Sequence, residues 1–99
     1  MATHWSFEEF DDLTSVVNLN VPSGCSWAEI QAIGGDIRYT LHGVDPSTTF
    51  GSVISNILVT GDMLTLGNAQ VLNMFRAIRN GADTPEMAVH YRRSDVDVP

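Results

Sequence analysis

The chain has no lysine, and its five cations are Arg38, Arg76, Arg79, Arg92 and Arg93. Twelve acids oppose them, leaving a formal charge of −7. Phosphate backbones and anionic membrane surfaces repel such a chain, so no nucleic-acid or membrane partner is expected. A single cysteine, Cys25, excludes an intrachain disulfide. It sits in Pro-Ser-Gly-Cys-Ser without an adjacent cation, so it reads as a structural thiol and not a nucleophile. No apolar run approaches the ~20 residues needed to span a bilayer. The opening Met-Ala-Thr-His-Trp lacks the basic and apolar regions of a signal peptide, so synthesis as a soluble protein in the cytosol is the expectation.

Chemistry-bearing constellations are also scarce. His4, His42 and His90 are not spaced as metal ligands with one another or with Cys25, and a zinc site needs three or four convergent donors. No Ser–His–Asp pattern, phosphate-cradling glycine loop or carboxylate pair stands out, and Gly34-Gly35 has no helix after it. The expectation is therefore a non-enzymatic protein with no cofactor and no metal.

What is present is patterning for strands. An apolar share of 43% over 99 residues suits one folded domain. Residues 1–12, "MATHWSFEEFDD", set Trp5, Phe7 and Phe10 among four acids and read as an extended N-terminal arm. From Leu13 the texture changes, and Val17, Leu19 and Val21 alternate with polar residues as in a strand. "WAEIQAI" and "DIRYTLH" flank Gly34-Gly35, a two-residue hairpin signal. That register sets Ala28, Ile30 and Ala32 against Leu41, Tyr39 and Ile37 on a core face. Glu29, Gln31 and Trp27 then face Thr40, Arg38 and His42 outside, with Gln31 and Arg38 exposed. Trp27 and His42 would form an outward aromatic pair or be covered by a neighbouring subunit.

After Gly43, "VDPSTT" reads as a surface loop leading to "FGSVIS". Short strands are expected at 52–59 and 63–66, with either a hairpin or a bend at Thr60-Gly61-Asp62. Ala69, Leu72 and Phe75 mark a helical turn. "FRAIR" and "EMAVHYRR" read as a second hairpin around Asn80–Pro85, with Met87, Val89 and Tyr91 inward and Ala88, His90 and Arg92 outward. Residues 94–99 read as a tail. Together these features predict an all-β fold: a compact antiparallel β-sandwich or small barrel, jelly-roll-like, over residues 13–93.

Read together, "AIGGDIRYTLHGVDPSTTFG", "GDMLTLGN", "FRAIRNGAD" and "MAVHYRR" resemble a pattern of short motifs in small structural proteins of tailed bacteriophages. The resemblance spans roughly residues 27–93, with His42 where the pattern usually has Asp. It implies a virion protein that decorates and cements the capsid surface, made in the host cytoplasm. The implied partners are the major capsid protein and further copies of itself, as a trimer. A tail or head-fibre accessory module is the alternative within that family. A carbohydrate-binding sandwich that stacks sugars on Trp5, Trp27 and Tyr39 is the alternative outside it. The candidate partner-binding residues are Trp5, Phe7, Phe10, Trp27 and His42, and the arm is expected to pack on a neighbouring subunit or the capsid.

Overall fold

The structure, a computed structural model, describes residues 5–47 and 55–92. His4, Arg93, the tail at 94–99 and the start of the strand expected from residue 52 lie outside the described residues, as does the side chain of Trp5. Eight strands and one helix follow in order: β1 Trp5–Phe10, β2 Val17–Asn18, β3 Trp27–Ile33, β4 Ile37–Thr40, β5 Asn56–Leu58, β6 Met63–Leu66, α1 Ala69–Met74, β7 Arg76–Arg79 and β8 Glu86–Arg92.

They form two antiparallel four-stranded sheets, ordered β1-β8-β3-β6 and β2-β7-β4-β5. Strand 1 pairs with 8, 2 with 7, 3 with 6 and 4 with 5. The chain is thus one long two-stranded ribbon folded over on itself, which is the jelly-roll arrangement of a β-sandwich. The all-β sandwich expected from the strand patterning is what the chain adopts.

Burial follows the period of two. Along β3, Ala28, Ile30 and Ala32 are fully buried while Trp27, Glu29 and Gln31 are partly exposed. Along β8, Met87, Val89 and Tyr91 point into the same core. The second sheet answers with Ile37, Leu58 and Ala77, and Leu13, Leu72 and Phe75 close the ends of the core. Each fully buried Leu, Ile or Val contributes roughly 1.5–3 kcal/mol by leaving water. The helical turn expected around Leu72 is α1. Its Asn68 N-cap accepts hydrogen bonds from the Gln70 and Val71 amides at 2.8 and 3.3 Å, satisfying donors that a helix start leaves open.

The strand partners differ from those expected. β3 and β4 are not a hairpin, because they lie in opposite sheets. Ile30 stands beside Val89 and Leu64, and Tyr39 beside Ala77 and Asn56. The Gly34-Gly35 turn carries the chain across the sandwich instead. Gly34 takes φ +76°, which favours glycine, and a Cβ on Gly35 would come within 3.2 Å of Asp83 Cβ and Pro85 N, pressing on the neighbouring crossing. Asn80–Pro85 is likewise a crossing between β7 and β8, not a hairpin loop, and Thr60-Gly61-Asp62 crosses from β5 to β6. These crossings and residues 11–16 gather at one end of the sandwich. Asp36 ties them there: its carboxylate accepts from Thr60 N at 3.0 Å, its carbonyl accepts from Asn80 N at 3.0 Å, and its amide donates to Asp83 at 3.1 Å.

Two further expectations change. Residues 5–10 do not stand off as an arm; they are β1, paired along its whole length with β8. Phe10 packs against the core, and Glu8 accepts from the Tyr91 hydroxyl at 2.5 Å and from the Asn20 amide at 3.2 Å. Of the four acids that disguised the strand, only Glu8 and Glu9 lie on it; Glu9 projects from the outer face of an edge strand, where charge is tolerated, and Asp11 and Asp12 follow its end. Arg38, expected outside, does point away from the core, but it is only 9% exposed. Its guanidinium donates to Asn80 Oδ1 at 2.7 Å and to Ser55 Oγ at 3.2 Å. On the same face Thr40 donates to the Val44 carbonyl, closing the turn that follows β4.

Candidate interaction face

The outer face of the β1-β8-β3-β6 sheet is built by the residues that alternate with the core set. Register places Trp5, Arg92 and Trp27 in one row across β1, β8 and β3. The next row is Phe7, His90, Glu29 and Thr65, and the third is Glu9, Ala88, Gln31 and Met63. In the third row the Gln31 side chain donates to the carbonyl of Gly61, in the crossing before β6, at 3.3 Å.

The side chains of this face organise one another. The Arg92 guanidinium carbon lies 4.7 Å from the centroid of the Trp27 ring, and Arg92 also bonds Glu29 at 3.2 Å. At such partly exposed sites the cation–π contact contributes ~0.5–1 kcal/mol and the ion pair ~0–1 kcal/mol. Phe7 sits 4.7 Å from the His90 ring at 51° and remains 52% exposed, while Met63 is 53% exposed. Beneath the Trp27–Arg92 pair is Cys25. Its Sγ lies 3.2 Å from the Trp27 carbonyl and 3.3 Å from that of Arg92, both of which its single proton can reach. The buried thiol thus joins the start of β3 to the end of β8.

Below this face lies the end where the crossings gather, and it is acidic. Glu9, Asp11, Asp12, Asp36, Asp62, Asp83 and Glu86 all belong to the crossings or to the strand ends that enter them. The Thr14 hydroxyl, at 2.7 Å, and the Thr14 amide, at 3.1 Å, bond Asp12 and hold its carboxyl below the usual carboxylate range. A cleft of about 140 Å³ opens beside Glu9, Asp11 and Glu86 over Phe10, Ile33 and Met87. Sites for small organic ligands run to ~300–1,000 Å³. Among the described residues, no group of three or more His, Cys, Asp and Glu is placed to hold a metal ion. No helix among them is long and apolar enough to cross a membrane.

The expected site residues are only partly brought together. Phe7 shares the outer face with Trp27, and the backbone of Trp5 puts it in the same row as Trp27. Phe10 points the other way, into the sandwich, where it packs partly buried against the core. His42 does not face Trp27; it is exposed just after β4, in the opposite sheet. Tyr39, offered as a sugar-stacking ring, is partly buried against the core and stacks on Phe75 at 5.6 Å. Arg92 was not singled out from the sequence, because only the β8–β3 register carries it to Trp27 and Glu29, which share one face of β3. The outward positions of all three on alternating strands were the available signal. Comparison of the chain with models of known protein families, with curated proteins and with solved structures finds no match.

Proposed function

We propose that this chain is a non-enzymatic structural protein of a phage virion that docks on the outer capsid surface and strengthens the shell. The observation that carries the reading is the outer face of the β1-β8-β3-β6 sheet. There Phe7 and Trp27 stand in adjoining rows of a flat surface, with Arg92, Glu29 and His90 as polar contacts between them. Aromatic residues and arginine are enriched where proteins contact proteins, with polar groups at the rim. The motif resemblance over residues 27–93 supplies the partner, the major capsid protein. A lattice of identical positions suits a small domain, since many weakly held copies act together.

Two features speak against sugar binding. Tyr39 is partly buried with its ring stacked on Phe75, and Arg92 already covers one face of the Trp27 ring. Jelly rolls serve lectins and capsids alike, so the fold itself does not choose between them.

The test is co-sedimentation with shells of the phage whose genome encodes the chain. Phe7→Ala and Trp27→Ala should each weaken shell binding by at least about tenfold, or 1.4 kcal/mol. The melting temperature of Phe7→Ala should change little, because the ring is half in water. Capture on tails in place of shells would redirect the reading to a tail accessory module. Undiminished shell binding by the double variant would remove the face from the proposal.

A further inference from the structure

One side of the sandwich is almost without charge. From Pro46 to Phe75, thirty positions hold a single charged residue, Asp62, although 17% of the chain is charged. This stretch contains β5 and β6, the edge strands of the two sheets, which follow each other through the crossing at 59–62. Seven large apolar side chains are exposed among the described residues, and four of them lie here: Ile57 at 45%, Val59 at 48%, Met63 at 53% and Met74 at 36%, the first three along β5, the crossing and β6. The opposite side differs. Its edge strand β1 carries Glu8 and Glu9, with Asp11 and Asp12 just beyond.

An edge strand presents unpaired N–H and C=O groups, and proteins that stay monomeric guard such edges with charge, proline or extreme shortness. β1 is guarded by its acids and β2 by its length of two residues. The sequence of β6, Met-Leu-Thr-Leu, has no guard, and among the described residues no strand pairs with its outer edge. We propose that this edge is an interface for a second copy of the chain, β6 pairing antiparallel with β6 about a two-fold axis. The joined sheets then run continuously through eight strands.

Charge selects this occupant. Each copy carries −7, so two copies approach closely only where acids are absent. A β1-to-β1 contact would set Glu8 and Glu9 against their own kind. A β6-to-β1 contact would draw Glu9 out of water toward a strand with no cation to receive it. Pairing β6 with itself does neither. Register follows from geometry: residues opposite one another share a face, so the axis passes through Leu64 or Thr65. The Thr65 register sets uncharged residues opposite one another along all of β6, whereas the Leu64 register sets Leu66 opposite Asp62; either brings both copies' exposed Met63 to the joined edge. This inference does not rest on the virion reading.

The experiment is the mass of the full chain in solution, by sedimentation equilibrium over a range of concentrations. The expected species is a dimer. Thr65→Lys, on an exposed position of the edge, should raise its dissociation constant by at least about tenfold by setting like charges near the axis. Glu9→Lys, on the opposite edge, should leave it intact, and circular dichroism should show both variants folded. A monomer at every concentration would overturn the proposal. So would a trimer, which a two-fold edge contact cannot build, or a dimer indifferent to Thr65→Lys. If Thr65→Lys fails to fold, hydrogen exchange on the natural chain decides. Protection of β6 amides that rises with protein concentration supports the contact, and concentration-independent exchange refutes it.

Discussion

The Tyr91 hydroxyl donates to the Glu8 carboxylate at 2.5 Å, across the boundary between β8 and β1. Tyr91 is otherwise enclosed, with 2% of its surface exposed. Glu8 also accepts from the Asn20 amide and side chain, so one carboxylate joins three segments of the chain. Tyr91→Phe removes the donor and keeps the ring, and should cost about 1–2 kcal/mol in denaturant unfolding.

The same pair sets an alkaline limit. Burial, then the hydrogen bond to Glu8 and its negative charge, push the Tyr91 phenol well above its usual value near 10. Burial pushes Tyr39 in the same direction. Such a phenol holds its proton more tightly folded than unfolded. Its contribution is therefore complete below the unfolded value of about 10 and is lost as pH climbs past it. Unfolding measured across that range should show stability falling with pH, and falling less steeply in Tyr91→Phe.

Ile30 and Gln31 are neighbours with opposite fates, since Ile30 is fully buried beside Val89 and Leu64 while Gln31 lies on the outer face. Ile30→Ala should cost ~2–5 kcal/mol, through lost burial and the cavity left behind. Gln31→Ala should cost under ~0.5 kcal/mol. Denaturant melts that ranked them the other way would mean that β3 is turned over.

Gly34 adopts φ +76° with open space where a Cβ would stand, so Gly34→Ala tests backbone strain alone. It should cost roughly 1 kcal/mol. Gly35→Ala meets Asp83 and the Pro85 backbone at 3.2 Å and should cost more, because the neighbouring crossing must shift. Equal melting temperatures for the two variants would contradict the stacked crossings.

Removing residues 1–12 should do more than trim a leader. It takes away β1, withdraws Phe10 from the core and uncovers one edge of β8. The loss should exceed about 3 kcal/mol, on the scale of deleting one large aromatic from a core. A truncated chain with unchanged melting temperature and circular dichroism would show that β1 adds nothing to the sandwich.

The sequence carried the faces of the strands better than their neighbours. Alternation along "WAEIQAI" and "EMAVHYRR" is imposed by one wet side and one dry side; it holds along β3 and for Met87, Val89 and Tyr91 of β8, while Ala88, expected outside, is buried at 8% exposure. The hairpin inferred from Gly34-Gly35 matched small residues to large ones because β3 and β4 do face each other. They do so through the core, where facing sheets interdigitate, and not side by side in one sheet. A period of two reports which side is dry and is silent about which sheet a strand has joined. β1 was hidden for another reason, since the acids of an edge strand mask its alternation. The candidate face was legible in Phe7 and Trp27, whereas its organisation by Arg92 depends on a strand far along the chain.

The ribbon pairing of 1 with 8 and 2 with 7 has a consequence for how the molecule comes to exist. Trp5 finds its neighbour only when Arg92 has been made, and β8 is the strand that both β1 and β3 await. During synthesis, the edges of β1 and β3 that pair with β8 must stay open until residues 86–92 have been made. Topologies dominated by such distant pairings fold slowly, in milliseconds to seconds, because the loops must close before any contact rewards them. The emerging chain is thus most exposed to misassembly just before β8 arrives, and a burst of closure should follow it.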